Sequence, residues 1–308
     1  MACVMVSIII PSVPHRLHLL KHTMLSLRRQ TYKNFEVIVV VESFSQKFKQ
    51  FLKFKDIKVS VVRQDKSGIV NARNCGIRMA KGEIIAFLDD DHIPDPNWLE
   101  KVLEIYRRFI GVGGVGVRIF EQNGKGEWRY QIRHMLNNFL NKIANVFFPL
   151  LGSVQAVTNT VLTKHFRGIW PSFRKEALEK VAYTKGITKH YFDENLENEC
   201  MGDWLDISLR VAKYYTLVYV PYVKICHLKH SHHVTAIKSL NDIISRTKNL
   251  TYVILKHIKN RREFLKYIIY TLIATSVRSV RNPLHLVATI KGIIEGVKKF
   301  EMLKMTLV

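Results

Sequence analysis

Cysteine and long apolar stretches are both scarce in this sequence. Its four cysteines are far apart and form no C-x-x-C pair, so we expect neither a disulfide framework nor a zinc site. No stretch reaches the ~20 apolar residues that span a bilayer, and the nearest is residues 264–277. Pro11 and Pro14 interrupt the first apolar run, so we expect no signal peptide there. These absences favour a protein of the reducing cytosol.

Acidic residues are few beside the basic ones. The chain has 25 Asp and Glu against 48 Lys and Arg, which gives a net charge of +23. This charge predicts an anionic partner such as nucleic acid, an anionic membrane or a phosphorylated substrate. The sequence contains no recognised nucleic-acid module, so we expect no specific nucleic acid. The hydrophobic content of 47% in 308 residues allows a sizeable core in one large domain or two small ones.

Strand and helix patterns alternate along the first half of the chain. Apolar runs predict strands, and helical spacing predicts helices between them. The predicted strands are residues 4–10, 35–41, 59–62, 84–88, 111–120 and 216–220, the last ended by Pro221. The predicted helices are residues 17–29, 70–79, 98–109 and 204–212. This alternation predicts an α/β fold with a mostly parallel sheet covered by helices on both faces, whereas residues 132–151 fit either a long helix or a surface loop.

The pattern becomes helical after about residue 233. Three helices are predicted from residue 240 onward, the last over residues 284–297, with roughly fourteen Lys and Arg against four acids. We therefore predict two parts, residues 1–233 and a basic helical extension over residues 234–308. The apolar stripes of these helices either pack against the first part or a partner subunit, or dock on an anionic membrane surface.

The run Asp89-Asp90-Asp91 follows an apolar strand directly. Adjacent carboxylates repel one another and raise one another's pKa, but a divalent cation relieves the repulsion and can bridge them to the phosphates of a nucleotide. Open α/β sheets bind ligands at the carboxyl ends of their strands. The run is therefore a candidate metal and nucleotide site, although many acidic triplets are solvated turns or helix caps.

Six short segments of the chain are more informative together, in their order, than any one of them is alone. They are VSIIIPS (6–12), YKNFEVIVVVE (32–42), GIVNARNCGI (68–77), AKGE (80–83), FLDDD (87–91) and GDWLDISLR (202–210). In this order and context they resemble family 2 glycosyltransferases, which have the GT-A fold. The resemblance covers roughly residues 4–230. It implies that residues 1–233 form a GT-A catalytic domain that transfers a sugar, with inversion, from a nucleotide-diphosphate donor.

The resemblance implies a nucleotide pocket at the ends of the first two strands. Pro11 and Ser12 would line it, and Glu42 would meet the base. The family usually has two aspartates where this chain has Val41 and Glu42. The implied donor is a UDP-sugar, with GDP- and dTDP-sugars as alternatives.

The resemblance also implies how the acidic run is used. Asp91 would contact a divalent cation, Mg²⁺ or Mn²⁺, and Asp89 the ribose or the cation, with Asp90 between them on the donor side. Arg73 would approach this run and the phosphates. His227, the first of four histidines in residues 227–233, would complete the metal site.

Direct transfer with inversion needs a carboxylate that deprotonates the acceptor hydroxyl. Asp203 is the candidate base, and Asp206 is the alternative. The family often has Glu-Asp where this chain has Asp203-Trp204. The spacing puts Asp203 and Asp206 on one helical face, and one of them could instead cap the helix.

The sequence also predicts the kind of acceptor and the location of the protein. Residues 170–176 resemble the segment that forms the acceptor side of the family's pocket, and Trp170 could either stack on a sugar ring or be an ordinary core residue. The acceptor would be a saccharide or a lipid-linked saccharide. The location would be cytoplasmic, with peripheral contact at the inner face of the cell membrane.

Two other functions are weighed against this one. A nucleotidyltransferase that makes a nucleotide-sugar also needs paired acids and a metal, but it usually has a glycine-rich phosphate loop, unlike residues 11–14. The other is a non-enzymatic basic protein, associated with membrane or nucleic acid, on the scaffold of an enzyme.

Overall fold

The structure is a computed structural model that describes residues 4–44, 54–121, 160–166, 169–185, 187–196, 202–228, 239–278 and 282–305. The strands are β1 (Val6–Ser12), β2 (Phe35–Val41), β3 (Lys58–Arg63), β4 (Ile84–Phe87), β5 (His92–Pro94), β6 (Val112–Glu121), β7 (Val161–Thr163), β8 (Pro171–Arg174), β9 (Tyr183–Lys185), β10 (Thr188–His190) and β11 (Thr216–His227). The helices are α1 (Leu17–Arg28), α2 (Ile69–Met79), α3 (Trp98–Arg108), α4 (Lys175–Val181), α5 (Asp203–Val211), α6 (Leu240–His257), α7 (Arg261–Arg278) and α8 (Leu284–Met305). A short 3₁₀ turn, Pro14–Arg16, leads into α1.

The described strands form a mixed, largely parallel sheet. Its order is β3-β2-β1-β4-β8-β6-β11-β5, with β7 paired to β11, while β9 and β10 form a separate hairpin. β1 is parallel to both β2 and β4. β8 runs antiparallel to β4 and to β6. β1 lies between β2, which follows it in the chain, and β4, which comes later. The carboxyl ends of β1 and β4 therefore form a topological switch point, where such sheets bind ligands.

The sheet is buried on both faces, as the continuous apolar strands require. Alternate residues of β1 enter two different clusters: Ile8 and Ile10 pack with α1 and α3 on one face, and Ile9 packs on the other. The second cluster continues through α5 to residues of α6 and α7, among them Val253 and Tyr267. The helices after residue 239 therefore share a core with the sheet, and the predicted boundary at residues 233 and 234 falls outside the described residues.

Most predicted elements are present with shifts of one or two residues, but β11 corrects one prediction. The strand does not end at Pro221, because it continues to His227. Proline lacks the N–H that a regular ladder needs, and the β11–β6 register shifts between Val220 and Lys224 to accommodate it. The continuation carries His227 to the end of the strand.

The last helix of the basic helical extension is longer than predicted. α8 continues to Met305 instead of ending near residue 297. The uncertain prediction over residues 132–151 lies outside the described part of the chain. Among the helices that the structure describes, none is both long and apolar enough to cross a membrane.

Candidate active site

Asp90 is held in place by the segment that follows β1. Ser12 Oγ donates to Asp90 Oδ2 at 2.7 Å, and Arg16 Nε donates to Asp90 Oδ1 at 2.8 Å. Thr23 on α1 donates to the backbone carbonyl of Asp90 at 2.8 Å. Burial raises the pKa of Asp90, and the hydrogen bonds from Arg16 and Ser12 act against that rise. Asp90 thus anchors the acidic run to β1 and α1.

Asp91 lies beside two histidines that β5 and β11 bring together. The antiparallel register pairs His92 with His227, and their rings stack at 5.0 Å. His227 Nε2 is 3.4 Å from Asp91 Oδ2, and one ligand atom from each of the three residues lies within 4.8 Å of the others. Burial raises the pKa of Asp91, but the hydrogen bond from His227 and the charge of Arg16 act against burial, and that pKa lies below its usual value.

The donor atoms of this cluster fit a divalent cation. Asp91 Oδ1 is buried and has no hydrogen-bond partner among the residues that the structure describes. Its other oxygen faces Arg16 Nη2 at 2.6 Å. The Asp89 N–H donates to His92 Nδ1 at 3.0 Å, which places the proton of neutral His92 on Nε2. Since Mg²⁺ and Mn²⁺ prefer carboxylate oxygen, Asp91 is the best-suited ligand here, with His227 beside it.

Arg73 of α2 joins the acidic run to Asp203, the first residue of α5. Its Nη1 pairs with Asp203 Oδ2, and its Nη2 is 3.8 Å from Asp89 Oδ1. The guanidinium also lies 4.4 Å from the ring of Trp204. Burial raises the pKa of Asp203, and the charge of Arg73 opposes that rise.

Close packing against α6 fixes the start of α5. Gly202 has φ of 110°, a backbone conformation that favours glycine. A Cβ at Gly202 would lie only 3.1 Å from Val253 Cγ2 of α6. Glycine therefore lets α5 begin against α6, with Asp203 buried in its first turn.

Asp206 has a different environment, although it is on the same helix. It accepts from Arg210 Nε at 3.0 Å and from His257 Nε2 at 2.8 Å, and Lys256 Nζ is 2.9 Å away. Burial raises the pKa of Asp206, but Arg210, His257 and Lys256 outweigh it and leave that pKa below the usual value. These contacts connect α5 to α6. Asp203, and not Asp206, is the residue of α5 that pairs with Arg73 beside Asp89.

Asp206→Asn should lower the free energy of unfolding by about 1.5–3 kcal/mol at neutral pH, because it removes the charge of a buried carboxylate that accepts hydrogen bonds from Arg210 and His257. A carboxylate whose folded pKa is depressed stabilises the protein above its ordinary pKa of 3.8, and this contribution is lost as pH falls below that value. The difference between wild type and variant should therefore shrink between about pH 5 and pH 3. Urea unfolding followed by circular dichroism measures it.

Asp56→Asn is the control for this experiment, since Asp56 pairs with Arg28 at the surface. An exposed pair contributes little to stability, because water and salt screen its charges. Equal losses for the two variants, or a difference that does not depend on pH, would contradict a stabilising role for the Asp206 carboxylate.

The other predicted residues lie at the same edge of the sheet. Ser12 pairs with Val41 across β1 and β2, so Glu42 follows directly beside it. Glu42 Oε1 accepts from Ser67 Oγ at 2.6 Å, which connects β2 to the segment before α2. Pro11 precedes Ser12 at the end of β1. Trp170 precedes β8, and its ring lies 4.7 Å from that of His92.

Two site residues were missed from the sequence. Arg16 neutralises Asp90 and Asp91 at once, and burial of His92 lowers its pKa and keeps the ring neutral. The position of His92 directly after the three aspartates was a signal that could have been used. Arg16 had no such signal, because its partners are more than 70 positions away in the chain.

Comparison with known proteins agrees with this fold. The sequence model of Glycosyl transferase family 2 matches residues 7–181. The Escherichia coli protein UDP-Glc:alpha-D-GlcNAc-diphosphoundecaprenol beta-1,3-glucosyltransferase WfgD is 33% identical over 103 residues, which are 33% of this chain and 39% of that protein. Alignments with curated relatives span from 14% of one relative's length to 47% of another's.

Two solved structures are similar over nearly the whole chain. TarS from S. aureus, in complex with UDP-GlcNAc, has a TM-score of 0.57 and 15% identity, covering 98% of this chain and 92% of that one. PcManGT from Pyrobaculum calidifontis, in complex with GDP-Man and Mn²⁺, has a TM-score of 0.55 and 17% identity, covering 98% and 79%. At these identities the likeness concerns the fold. Because the family match runs from β1 to the end of α4 and covers more than half of the chain, this protein belongs to glycosyl transferase family 2.

Proposed function

We propose that this protein is an inverting, metal-dependent glycosyltransferase that moves a sugar from a nucleotide-diphosphate donor to an acceptor hydroxyl. One observation carries the proposal. Arg73 links Asp89 of the acidic run to the buried Asp203 at the carboxyl edge of the parallel strands. A donor site and a candidate base therefore lie next to each other at the switch point of the sheet.

The donor nucleotide would lie over the ends of β1 and β2, against Pro11, Ser12 and Glu42. UDP is the favoured nucleotide, and GDP and dTDP are the alternatives. TarS in complex with UDP-GlcNAc and PcManGT in complex with GDP-Man share the fold, so the fold accommodates either base. Glu42, which replaces an aspartate of the family pattern, is the residue we expect to influence this choice.

A divalent cation would be held by Asp91, with His227 and Asp89 as further ligands. When bound, it would offset the negative charge that develops on the leaving diphosphate. PcManGT, which holds Mn²⁺, supports Mn²⁺ as the first ion to test. Arg16 and Arg73 would keep the four neighbouring carboxylates, Asp89, Asp90, Asp91 and Asp203, partly neutralised.

Asp203 would accept the proton of the acceptor hydroxyl as the hydroxyl attacks the sugar. Its burial and raised pKa suit a base, because catalysis is most efficient when the pKa of the base approaches the working pH. Arg73 would orient the carboxylate through the pair that it forms with Asp203 Oδ2. Asp206 instead accepts hydrogen bonds from Arg210 and His257 and lies beside Lys256, which favours Asp203 as the base.

The acceptor would be a saccharide or a lipid-linked saccharide. The name of WfgD describes a diphosphoundecaprenol-linked acceptor, which supports this class. Trp170, half-buried beside His92, would offer the sugar an apolar face. We propose that the enzyme works at the cytoplasmic face of the cell membrane as a peripheral protein.

The melting temperature should rise when the matching nucleotide and Mn²⁺ are added together. A ligand that binds only the native state at 100 times its Kd stabilises it by about 2.7 kcal/mol. We expect UDP with Mn²⁺ to give a larger shift than the sum of the separate shifts, because a cation held by Asp91 would also offset the charge of the diphosphate. Thermal unfolding with UDP, GDP and dTDP, each with and without Mn²⁺, measures this.

Incubation with UDP-sugars and a saccharide acceptor then tests transfer itself, and NMR of the product identifies the anomer. Inversion is the expected result. If no combination of nucleotide and metal shifts the melting temperature, the proposed donor site is overturned. A product with retained configuration would overturn the proposed role of Asp203 as a base.

A further inference from the structure

Helices α7 and α8 have apolar residues on two opposite sides. Their inner sides pack against the rest of the protein: Tyr267 and Ala274 of α7 and Ile293 of α8 are buried. A Cβ at Gly292 would lie 2.6 Å from Thr247 Cβ of α6, so α8 and α6 are in close contact. The inner apolar residues are thus accounted for by the core.

The outer sides of the two helices carry a second apolar set, which we call the outer stripe. Its members follow helical spacing and are 42% to 62% exposed. They are Leu265, Ile269 and Ile273 of α7 and Val287, Ile290 and Ile294 of α8. A surface helix of a globular protein normally presents polar residues on this side, so the outer stripe suits an apolar partner.

Basic residues accompany the outer stripe. Residues 261–305 contain nine Lys and Arg against three Glu. Arg262 and Lys266 lie among the exposed positions of α7, and Lys291 and Lys298 among those of α8. The ion pairs Lys266–Glu263 at 3.0 Å and Lys291–Glu295 at 4.0 Å are exposed, and such pairs are weak. The surface is therefore both apolar and positively charged.

This combination favours an anionic bilayer over a second copy of the chain. Two copies that met through the outer stripe would bring together surfaces of the same charge, on proteins that each carry +23, and like charges repel. Anionic headgroups attract Lys and Arg, while the boundary of the acyl chains accepts apolar side chains to a shallow depth. A helix that lies in the plane of the interface does not need the length of a membrane span.

We propose that α7 and α8 form a docking surface for anionic lipid bilayers, with the outer stripe inserted at the headgroup boundary and the flanking Lys and Arg on the headgroups. The inference rests on the proposed function for its purpose, since docking would bring the active site to a lipid-linked acceptor. The docking itself needs neither donor nor acceptor, so it is measured separately.

Flotation of the full chain with vesicles tests the proposal. The protein should float with phosphatidylcholine vesicles that contain phosphatidylglycerol, and much less with phosphatidylcholine alone or at high salt. A variant with Ile269→Gln, Ile273→Gln, Val287→Gln and Ile294→Gln should bind the anionic vesicles at least about tenfold more weakly. These side chains are exposed, so the melting temperature should change little.

A matched control replaces exposed apolar residues elsewhere. Ile110 is 86% exposed and Leu162 is 75% exposed, and the variant with Ile110→Gln and Leu162→Gln should bind vesicles as the wild type does. Equal binding by the outer-stripe variant and the wild type would overturn the proposal. Sedimentation velocity gives a second test. The proposal would also be overturned if the wild type were a dimer, the outer-stripe variant a monomer, and both bound vesicles equally.

Transfer to a water-soluble acceptor separates the two proposals. The outer-stripe variant should keep the wild-type rate on such an acceptor and lose rate only on an acceptor embedded in anionic vesicles. If neither protein transfers sugar but the wild type alone binds vesicles, the proposed function fails and the docking surface stands. If the wild type and the outer-stripe variant transfer sugar equally well to the vesicle-embedded acceptor and to the soluble acceptor, docking through these helices fails.

Discussion

Asp91→Asn should reduce sugar transfer by about 10³-fold or more while leaving the protein folded. A bound cation contributes several kcal/mol of charge stabilisation in the transition state, and each ~1.4 kcal/mol corresponds to a factor of ten in rate. Asparagine keeps the shape of the side chain but removes the negative charge that the cation requires. Arg16 retains its bonds to Asp90 at 2.7 and 2.8 Å, so it does not become an uncompensated charge.

Three measurements check this prediction: initial rates over a range of Mn²⁺ concentrations, Mn²⁺ binding by calorimetry, and thermal unfolding without metal. We expect weak Mn²⁺ binding and a melting temperature within a few degrees of wild type. Asp95→Asn makes the same chemical change four positions later, outside the acidic run, and should leave rate and Mn²⁺ binding unchanged. Wild-type activity of Asp91→Asn would refute the assignment of Asp91 to the metal.

The features predictable from the sequence are those that depend on neighbouring residues. Continuous apolar runs such as Phe35–Val41 formed buried strands with the predicted limits. The acidic run was correctly expected at the end of a strand, because apolar residues stop at Leu88. The motif order around these strands was enough to indicate the family that the comparison then confirmed.

The features that escaped prediction depend on residues distant in the chain. Arg16 meets Asp90 only because β1 lies beside β4. Asp206 is engaged by Lys256 and His257, about 50 positions later, so its spacing from Asp203 could not reveal that their environments differ. Pro221 indicated a strand end, but a register shift let β11 continue. Local patterns cannot encode such contacts, because tertiary packing decides them.

The two arginines of the site divide its acids between them. Arg16 faces Asp90 and Asp91, while Arg73 faces Asp89 and Asp203. The site therefore has four carboxyl groups for two guanidinium groups, an excess of acids that would favour a divalent cation. Because Arg73 contacts both Asp89 and Asp203, a change of charge at Asp203 should alter the electrostatic environment of the acidic run, and the reverse. Variants of Asp203 therefore need donor binding to be measured together with rate.

Asp203→Asn should lower kcat by about 10²–10⁴-fold, the usual contribution of a general base, and change donor affinity by much less. Asparagine can still accept a hydrogen bond from Arg73, so the donor side of the site keeps its arrangement. In the wild type, the rate should rise with pH as Asp203 loses its proton, with a midpoint above the ordinary pKa of 3.8 because burial raises the pKa of this carboxyl. The variant should lack this rise.

Asp206→Asn is the matched control, since both aspartates are buried in the first turns of α5. It should lower the melting temperature yet keep kcat in the folded protein, because its partners are Arg210, Lys256 and His257. Rates measured well below both melting temperatures separate catalysis from unfolding. If Asp203→Asn weakened UDP binding as strongly as it lowered kcat, its role would be to hold Arg73 for the donor, and the proton acceptor would have to be sought elsewhere.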